Sequence, residues 1–433
     1  MKNEKNSNIA FKLTCAALTL PGLIQTANAG RVEETYNADF QYGNYQEGSG
    51  RMGVDIYEAA LSTPIGKNMT ASVNIVEDII GGASPIYNTR EPNGKITQVL
   101  SGASGAALTS ECGYSICEKR DAASAALTYF FDTASLNIGG GYSREHDYSS
   151  KYFNTAASLD FNKKLTTLNF GASVAFDEIQ PTFTSWTNLP DGFKAHKTSM
   201  QYLLGVSQVI DKDSLIQSNI TFGYHKGYLT DPYKQVTFHG DLYLDGFLMA
   251  PDFDTTLSEK RPRERFEWAW LTQYVRHFDQ FNNAALHADY RFSTNDWGIN
   301  AHTVEFSWHQ PIADGWQIIP RFRYYSQDRA DFYQPIANSD LNASFDSNFN
   351  FILSPKNLKS YSSDYRLAGF GTVSGGLKVS KEINNLEPIN QLKLQAGFEY
   401  YAHKSEFELG GNGKERFNDF GYYLITAGFN LKF

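Results

Sequence analysis

The chain has 433 residues, with 38 Lys and Arg, 47 Asp and Glu, 31 Phe and 26 Tyr. So many aromatic residues exclude a disordered chain, and a formal net charge of −9 speaks against nucleic acid as a partner. Mean hydropathy is −0.41, and no run beyond the amino terminus approaches the roughly 18 apolar residues of a membrane helix, so a membrane is crossed, if at all, by a closed barrel of strands.

Residues 1–29 read as a cleaved secretory signal: Lys2, Lys5 and Lys12 precede the apolar stretch from Leu13 to Ile24, and Ala27-Asn28-Ala29 supplies small residues for cleavage before Gly30. Thr14 and the short apolar run before Cys15 speak against acylation there. Cleavage removes three Lys and one Glu and leaves a net charge of about −11. Residues 30–433 are then expected to form one outer-membrane barrel.

Along that span, apolar and polar side chains alternate, as lipid outside and water inside require. Ala284, Leu286, Ala288, Tyr290 and Phe292 oppose His287, Asp289 and Arg291, and Leu392 to Tyr400 repeats the pattern against Lys393, Gln395 and Glu399. The same signal places strands near 33–46, 51–63, 68–80, 119–132, 134–148, 151–162, 165–178, 196–210, 213–227, 263–278, 282–294, 296–310, 314–328, 362–380, 389–404 and 418–433. This predicts an all-β transmembrane antiparallel barrel of about sixteen strands. Parity supports it: short polar turns such as Asp132-Thr133 and Asp211-Lys212 fall on one side, and the long links 81–118, 179–195, 228–262 and 329–361 fall on the other. The short side is the periplasmic one.

Within the longest link, Cys112 and Cys117 are expected to close a small disulfide loop, because an exported chain with two nearby cysteines is oxidised and no His stands beside them. At the far end, Thr426, Gly428, Leu431 and Phe433 resemble the carboxy-terminal signal that the barrel assembly machinery reads in outer-membrane proteins.

Further blocks resemble the bacterial outer-membrane family known as domain of unknown function 3570. They are Tyr45-Gln46-Glu47, Gly82-Ala83-Ser84-Pro85, the stretch from Gly140 to Tyr148, Tyr274-Val275-Arg276-His277-Phe278, the stretch from Pro320 to Gln327, Ala330-Asp331-Phe332-Tyr333 and Ser363-Asp364-Tyr365-Arg366-Leu367. The resemblance implies an outer-membrane protein encoded beside exported redox or flavin-attachment proteins, and it assigns no catalytic residue.

The inward set Asp160, His287, Asp289, Arg291, Glu305, Arg321, Arg323, Lys393 and Glu399 is expected to line the lumen, either around a passage or as a salt-bridged filling. Arg321 and Arg323 should pair with Glu305 or attract an anion. The loop 329–361, with Phe332, Tyr333 and Phe345, could fold inward as a constriction. No cofactor is expected. Expected partners are outer-membrane lipid, the assembly machinery and, in a scaffold alternative, a small lipoprotein or periplasmic redox protein. As a remote alternative, Ser143, His146, Asp147 and Ser149 would serve a hydrolase, although adjacent residues of a strand point to opposite faces. The favoured expectation is a porin-like passive role.

Overall fold

The structure, a computed structural model, describes residues 35–48, 51–82, 85–91, 96–100, 117–181, 189–190, 192–345, 347, 349, 351–411 and 419–433. The expected signal at 1–29 and the pairing of Cys112 with Cys117 lie outside the described residues. In chain order the strands are β1 (Asn37–Glu47), β2 (Gly53–Ile65), β3 (Met69–Gly81), β4 (Pro85–Arg90), β5 (Ile96–Leu100), β6 (Cys117–Phe130), β7 (Ala134–Arg144) and β8 (Tyr148–Phe161). They continue with β9 (Thr166–Ile179), β10 (Ala195–Val209), β11 (Ser214–Gly227), β12 (Gln235–Leu244), β13 (Phe247–Ser258), β14 (Glu264–Phe278), β15 (Ala284–Asn295) and β16 (Asn300–Pro311). The last are β17 (Trp316–Gln327), β18 (Ala337–Asn338), β19 (Leu341–Phe345), β20 (Phe351–Pro355), β21 (Phe370–Leu386), β22 (Ile389–Lys404) and β23 (Phe420–Lys432).

Sixteen of these strands form one closed antiparallel barrel, each beside its neighbour in the chain, with β4, β5, β12, β13 and β18 to β20 outside the ring. Closure is direct: β1 pairs with β23 from Asn37 opposite Lys432 to Glu47 opposite Tyr422. The sixteen are the sixteen predicted from alternation. The largest shift is in β21, which starts at Phe370 rather than near 362, because the residues before it fold into a charged cluster over the mouth.

Register fixes which way each side chain faces. Following the cross-strand pairs, Phe40 stands beside Phe429 and Leu394, whereas Gln41 stands beside Glu58 and Gly428. The first face carries an exposed apolar belt, including Leu61, Ile75, Ile138, Phe153, Phe176, Tyr202, Leu204, Phe306, Phe322, Leu377 and Phe398. Large apolar side chains left exposed around a whole barrel are a lipid-facing surface. Near the short turns the belt ends in aromatic clusters, with Tyr129 against Phe131 at 4.5 Å and Trp308 against Phe278 and Phe281 at 5.5 and 5.8 Å. Such rings sit at the membrane interface, where a flat amphipathic side chain meets both lipid and water.

The two larger buried apolar clusters lie among the outer loops, one of Trp297, Ala330, Phe332, Tyr333, Leu367 and Ala368 and another of Val236, Phe238, Ala337, Leu341 and Tyr361. A smaller one, Tyr401 and Leu424 with Tyr45 and Tyr422 against them, lies on the inner face of the barrel wall. Among the loops, β12 is central to a small sheet. It pairs antiparallel with β13 and parallel with β18 and β19, and β20 completes it. The link 228–262, expected as a loop, thus contains a hairpin that turns at Asp245-Gly246, both with positive φ. That pair is a strong hairpin signal, because two-residue turns of this kind need left-handed backbone at both positions.

Candidate functional site in the lumen and its cap

All nine predicted lining residues share the inward face. Register places Asp289 opposite Glu305, Glu305 opposite Arg323, His287 opposite Ser307, Arg291 opposite Thr303, Lys393 opposite Asn430, and Asp160 opposite Thr167. Their neighbours decide what each can do. Arg321 is the best-paired charge: its Nε and Nη2 donate to the two Glu305 oxygens at 2.8 and 2.6 Å. Its Nη1 donates to Glu399, which also accepts from the Tyr401 hydroxyl. Strand β21 lies between Arg321 and Glu399, and the residue opposite both is Gly376. A Cβ at Gly376 would collide with the Glu399 side chain, so the bare glycine is what lets the ion pair bridge a strand.

Register and bonding therefore differ: Glu305 stands opposite Arg323 but is chelated by Arg321, two residues along the same face. The like charges of Arg321 and Arg323 are separated in role by this diagonal pairing, which resolves in favour of Glu305 for Arg321. Beside them Gln273 donates to Asp289 at 3.1 Å, and the His287 and His309 rings stack at 4.2 Å. Asp160, near the periplasmic turn, accepts from the Thr167 hydroxyl at 2.8 Å and is apart from this group.

Further ion pairs on the inward face were missed because a lone charge in a strand gives no pattern. Lys197 meets Asp177 at 3.0 Å, Arg120 donates through Nε to Asp78 at 2.7 Å, and His225 bridges Ser199 at 2.9 Å and Glu267 at 3.2 Å. Cross-strand register on the charged side of an antiparallel pair was the signal available for them.

Above the lumen, three outer loops meet. They leave from β3 and β6, from β11 and β14, and from β17 and β21, with four, two and four strands between their roots around the ring. Contact among loops rooted so far apart puts protein across the mouth. Asn88 Nδ2 donates to the Pro335 carbonyl at 2.9 Å, the Lys234 ammonium to Pro85 O, and the Thr237 hydroxyl to Asn88 O. Lys260 bridges to Tyr361, and Arg51, in the link after β1, lies over the rings of Phe420 and Tyr365 at 4.4 and 5.2 Å.

A largely buried charge cluster, with Arg366 at its exposed edge, ties this cap. Arg261 donates to Glu259 and to Asp364, each at 2.7 Å. Arg366 donates through Nε to Asp364 at 2.8 Å and through Nη2 to Asp231 at 2.7 Å, while Ser362 donates to Glu259. The side chains of Asp364 and Glu259 are wholly buried. Burial pushes both carboxyls upward; at Asp364 the facing Arg366, Lys234 and Arg261 overcome it and hold the group below the usual carboxylate range, whereas at Glu259 burial prevails. With Asp231 and Lys234 the cluster has three charges of each sign, so it is stable only with all partners in place.

Phe332 and Tyr333 of the proposed constriction are buried in the cap, against Trp297 and Leu367, and Phe345 is exposed beside Phe351 in the outer sheet. The aromatic residues of link 228–262 divide similarly. Phe253 packs into the cap, Tyr228 meets Phe193 at 5.4 Å, Tyr233 donates to Asp147, Tyr243 lies under the Lys356 ammonium at 4.7 Å, and Phe247 is exposed. The four residues considered for a hydrolase do not converge. Ser143 faces inward from β7 opposite Ser150, Ser149 lies opposite Glu178, His146 is exposed in the outer link, and Asp147 is engaged by Tyr233.

A sixteen-stranded antiparallel barrel with a lipid-facing belt and a polar inner face is an outer-membrane β-barrel. The profile of the family described as "Protein of unknown function (DUF3570)" matches residues 10–424, nearly the whole chain. The chain belongs to that family. No curated protein matches it. Among solved structures it is similar to the ferric enterobactin receptor PfeA of Pseudomonas aeruginosa, at 8% identity and TM-score 0.42, covering 86% of this chain and 54% of that one. It is also similar to a bacterial polysaccharide outer membrane secretin, at 7% identity and TM-score 0.43 with 93% and 99% covered. The outer membrane protein OpdK of Pseudomonas aeruginosa gives 7% identity and TM-score 0.39 with 92% and 99% covered. This member of the family thus spans about half the length of the enterobactin receptor and nearly the full length of the other two.

Proposed function

We propose that the protein is a narrow, porin-like pathway for passive movement of small polar solutes across the Gram-negative outer membrane, reached after export on a signal cleaved behind Ala29. The observation that supports it is the set of polar and charged side chains on the inner face of the barrel, where the central charges compensate one another, as Arg321 does with Glu305 and Glu399. Sixteen strands enclose more space than side chains alone fill. Asp160, His287, Asp289, Arg291, Glu305, Arg321, Arg323, Lys393 and Glu399 line that path, and the reading assigns no catalytic residue and no cofactor. Single-channel recording on membrane-extracted protein in planar bilayers tests it: stepwise conductance is expected, and Arg321→Ala with Arg323→Ala should shift the reversal potential toward cations. Unchanged reversal potentials would remove both arginines from the lining.

The three-loop cap favours a second reading, a barrel scaffold that holds a small lipoprotein or periplasmic redox protein in a trans-envelope complex. Bilayers that stay silent, together with co-purification of such a protein in stoichiometric amount under mild detergent, would select it.

A further inference from the structure

Strand β7 has eleven residues, and its ten steps of about 3.3 Å on a tilt near 40° climb roughly 25 Å, the height of a lipid-facing belt. Its first residue, Ala134, follows a short periplasmic turn, so its last, Arg144, stands where the hydrocarbon of the outer leaflet gives way to headgroups. Parity turns Arg144 outward, because Ile138 and Tyr142, exposed residues of the belt, share its face. On β8, Lys151 stands opposite Tyr142 and Ser149 opposite Arg144, so an exposed guanidinium, an exposed ammonium and a hydroxyl face the lipid together. Arg144 and Lys151 are a diagonal pair, about 7–8 Å apart at their roots, close enough for two long side chains to meet on one anion.

Neither side chain has an ion-pair or hydrogen-bond partner among the described residues, whereas at the same end of other strands Lys119 meets Glu77 at 2.8 Å and Lys226 meets Glu264 at 3.3 Å. The two acids nearest in register are engaged elsewhere. Asp121, opposite Arg144, is held by Lys119 at 3.5 Å, and Glu178, opposite Ser149, by Lys194 at 3.7 Å. In the link between β7 and β8, Asp147 accepts from Tyr233. On the membrane side of the two cations lies an apolar bed: Tyr142, Phe153 and Phe176 are 42%, 51% and 58% exposed, with Phe176 directly opposite Lys151. Long basic side chains lay their stems on such a bed and hold their charged heads at the interface. A dissolved anion has no use for the bed; a lipid with an anionic headgroup matches both parts.

We propose that Arg144, Ser149 and Lys151 form a seat for one phosphorylated lipid of the outer leaflet, its phosphoryl group held between the two cations and its acyl chains laid over Tyr142, Phe153 and Phe176. The seat is on the outside of the wall and does not depend on whether the lumen conducts. Membrane-extracted protein in uncharged detergent is titrated with lipid A, a bisphosphorylated glycolipid, and retained lipid is counted by native mass spectrometry. One lipid should be retained. Arg144→Gln and Lys151→Gln should each weaken retention about fivefold and the double variant roughly thirtyfold, the factors that one and two basic residues at a membrane surface carry. Both side chains are exposed, so heat-modifiable mobility should not change. Lys226→Gln, which removes a cation that already has Glu264, should leave retention as it is, and Phe153→Ser should weaken it. Retention that the double variant or Phe153→Ser leaves unchanged, or that Lys226→Gln lowers as much as the double variant does, would overturn the seat. So would full displacement of lipid A by an equal concentration of inorganic phosphate, the mark of a bare anion site in which acyl chains play no part.

Discussion

Replacing Asp364 by Asn should loosen the cap and leave the barrel intact. Asp364 is wholly buried and accepts from Arg261 Nη2 at 2.7 Å, from Arg366 Nε at 2.8 and 3.0 Å to its two oxygens, and from the Arg366 backbone N–H at 3.1 Å. Asparagine has the same size but carries no charge, and its amide points hydrogens at an arginine. Removing one partner of a buried ion pair costs about 3–5 kcal/mol, because the other charge is left uncompensated. Arg261 keeps Glu259 and Arg366 keeps Asp231, so the lower end applies, and about 3 kcal/mol is roughly a hundredfold in the ratio of closed to open loops. The assay is amide hydrogen exchange. The Leu367 amide, bonded to Asp364 O, and the Ala330 amide, bonded to Leu367 O, should exchange about a hundredfold faster, while strand amides keep their protection. Unchanged exchange in the loops, or a loss of protection spread equally over the strands, would refute the reasoning. The pH dependence has a definite sign. A carboxyl held below its usual value contributes stability above the ordinary aspartate pKa of about 3.9, and that contribution is lost only as pH falls through its lower value in the folded protein. The Asp364 contacts should therefore survive mild acid.

Glu145, in the outer link between β7 and β8, has the opposite sign. Burial, with Asp147, Glu118 and Asp78 nearby and Arg120 opposing, raises it to about 7, so this link should grow more stable as pH falls from about 7 toward the ordinary value near 4.3, and Glu145→Gln should abolish the trend in pH-dependent exchange. Arg321→Ala leaves Glu305 and Glu399 without their shared cation and should destabilise the barrel by about 3–5 kcal/mol in urea titrations. Phe322→Arg, on the lipid face of the same strand, should cost about 2–4 kcal/mol in bilayers and show as reduced heat-modifiable protein. Deletion of Phe433, whose N–H donates to Tyr36 O at 3.0 Å beside the closing strand pair, should lower membrane yield.

The barrel was legible because one rule governs every strand: a side chain faces lipid or lumen, and the next faces the other way. Pairs such as Leu394 with Lys393, or Phe322 with Arg321 and Arg323, announce their faces without any tertiary information. The cap obeys no such rule. Its strands are short, its apolar residues are buried on several sides, and its decisive contacts, such as Arg261 with Asp364 or Asn88 with Pro335, join residues more than a hundred positions apart. The stretch from Ser362 to Leu367 shows the difference. Its polarity pattern suits a strand, and burial of Asp364 between two arginines turns it into a helical turn instead, from Tyr365 to Leu367. Among the lining residues, alternation gives the face but not the partner; that Arg321 reaches across β21 to Glu399 depends on Gly376, whose importance lies in a missing side chain.

The seam between β1 and β23 has a consequence for biogenesis. Asn37 finds its mate at Lys432, so the polypeptide between them must emerge before the ring can be sealed. Every intermediate along the way carries two bare strand edges and a half-formed greasy surface, a combination prone to sticking to other chains. Loop-closing distances of this length also slow folding, since entropy is lost long before the sealing bonds repay it. Maturation is therefore a race between escort and aggregation, and it ends only when the final hairpin slides into place beside the first strand.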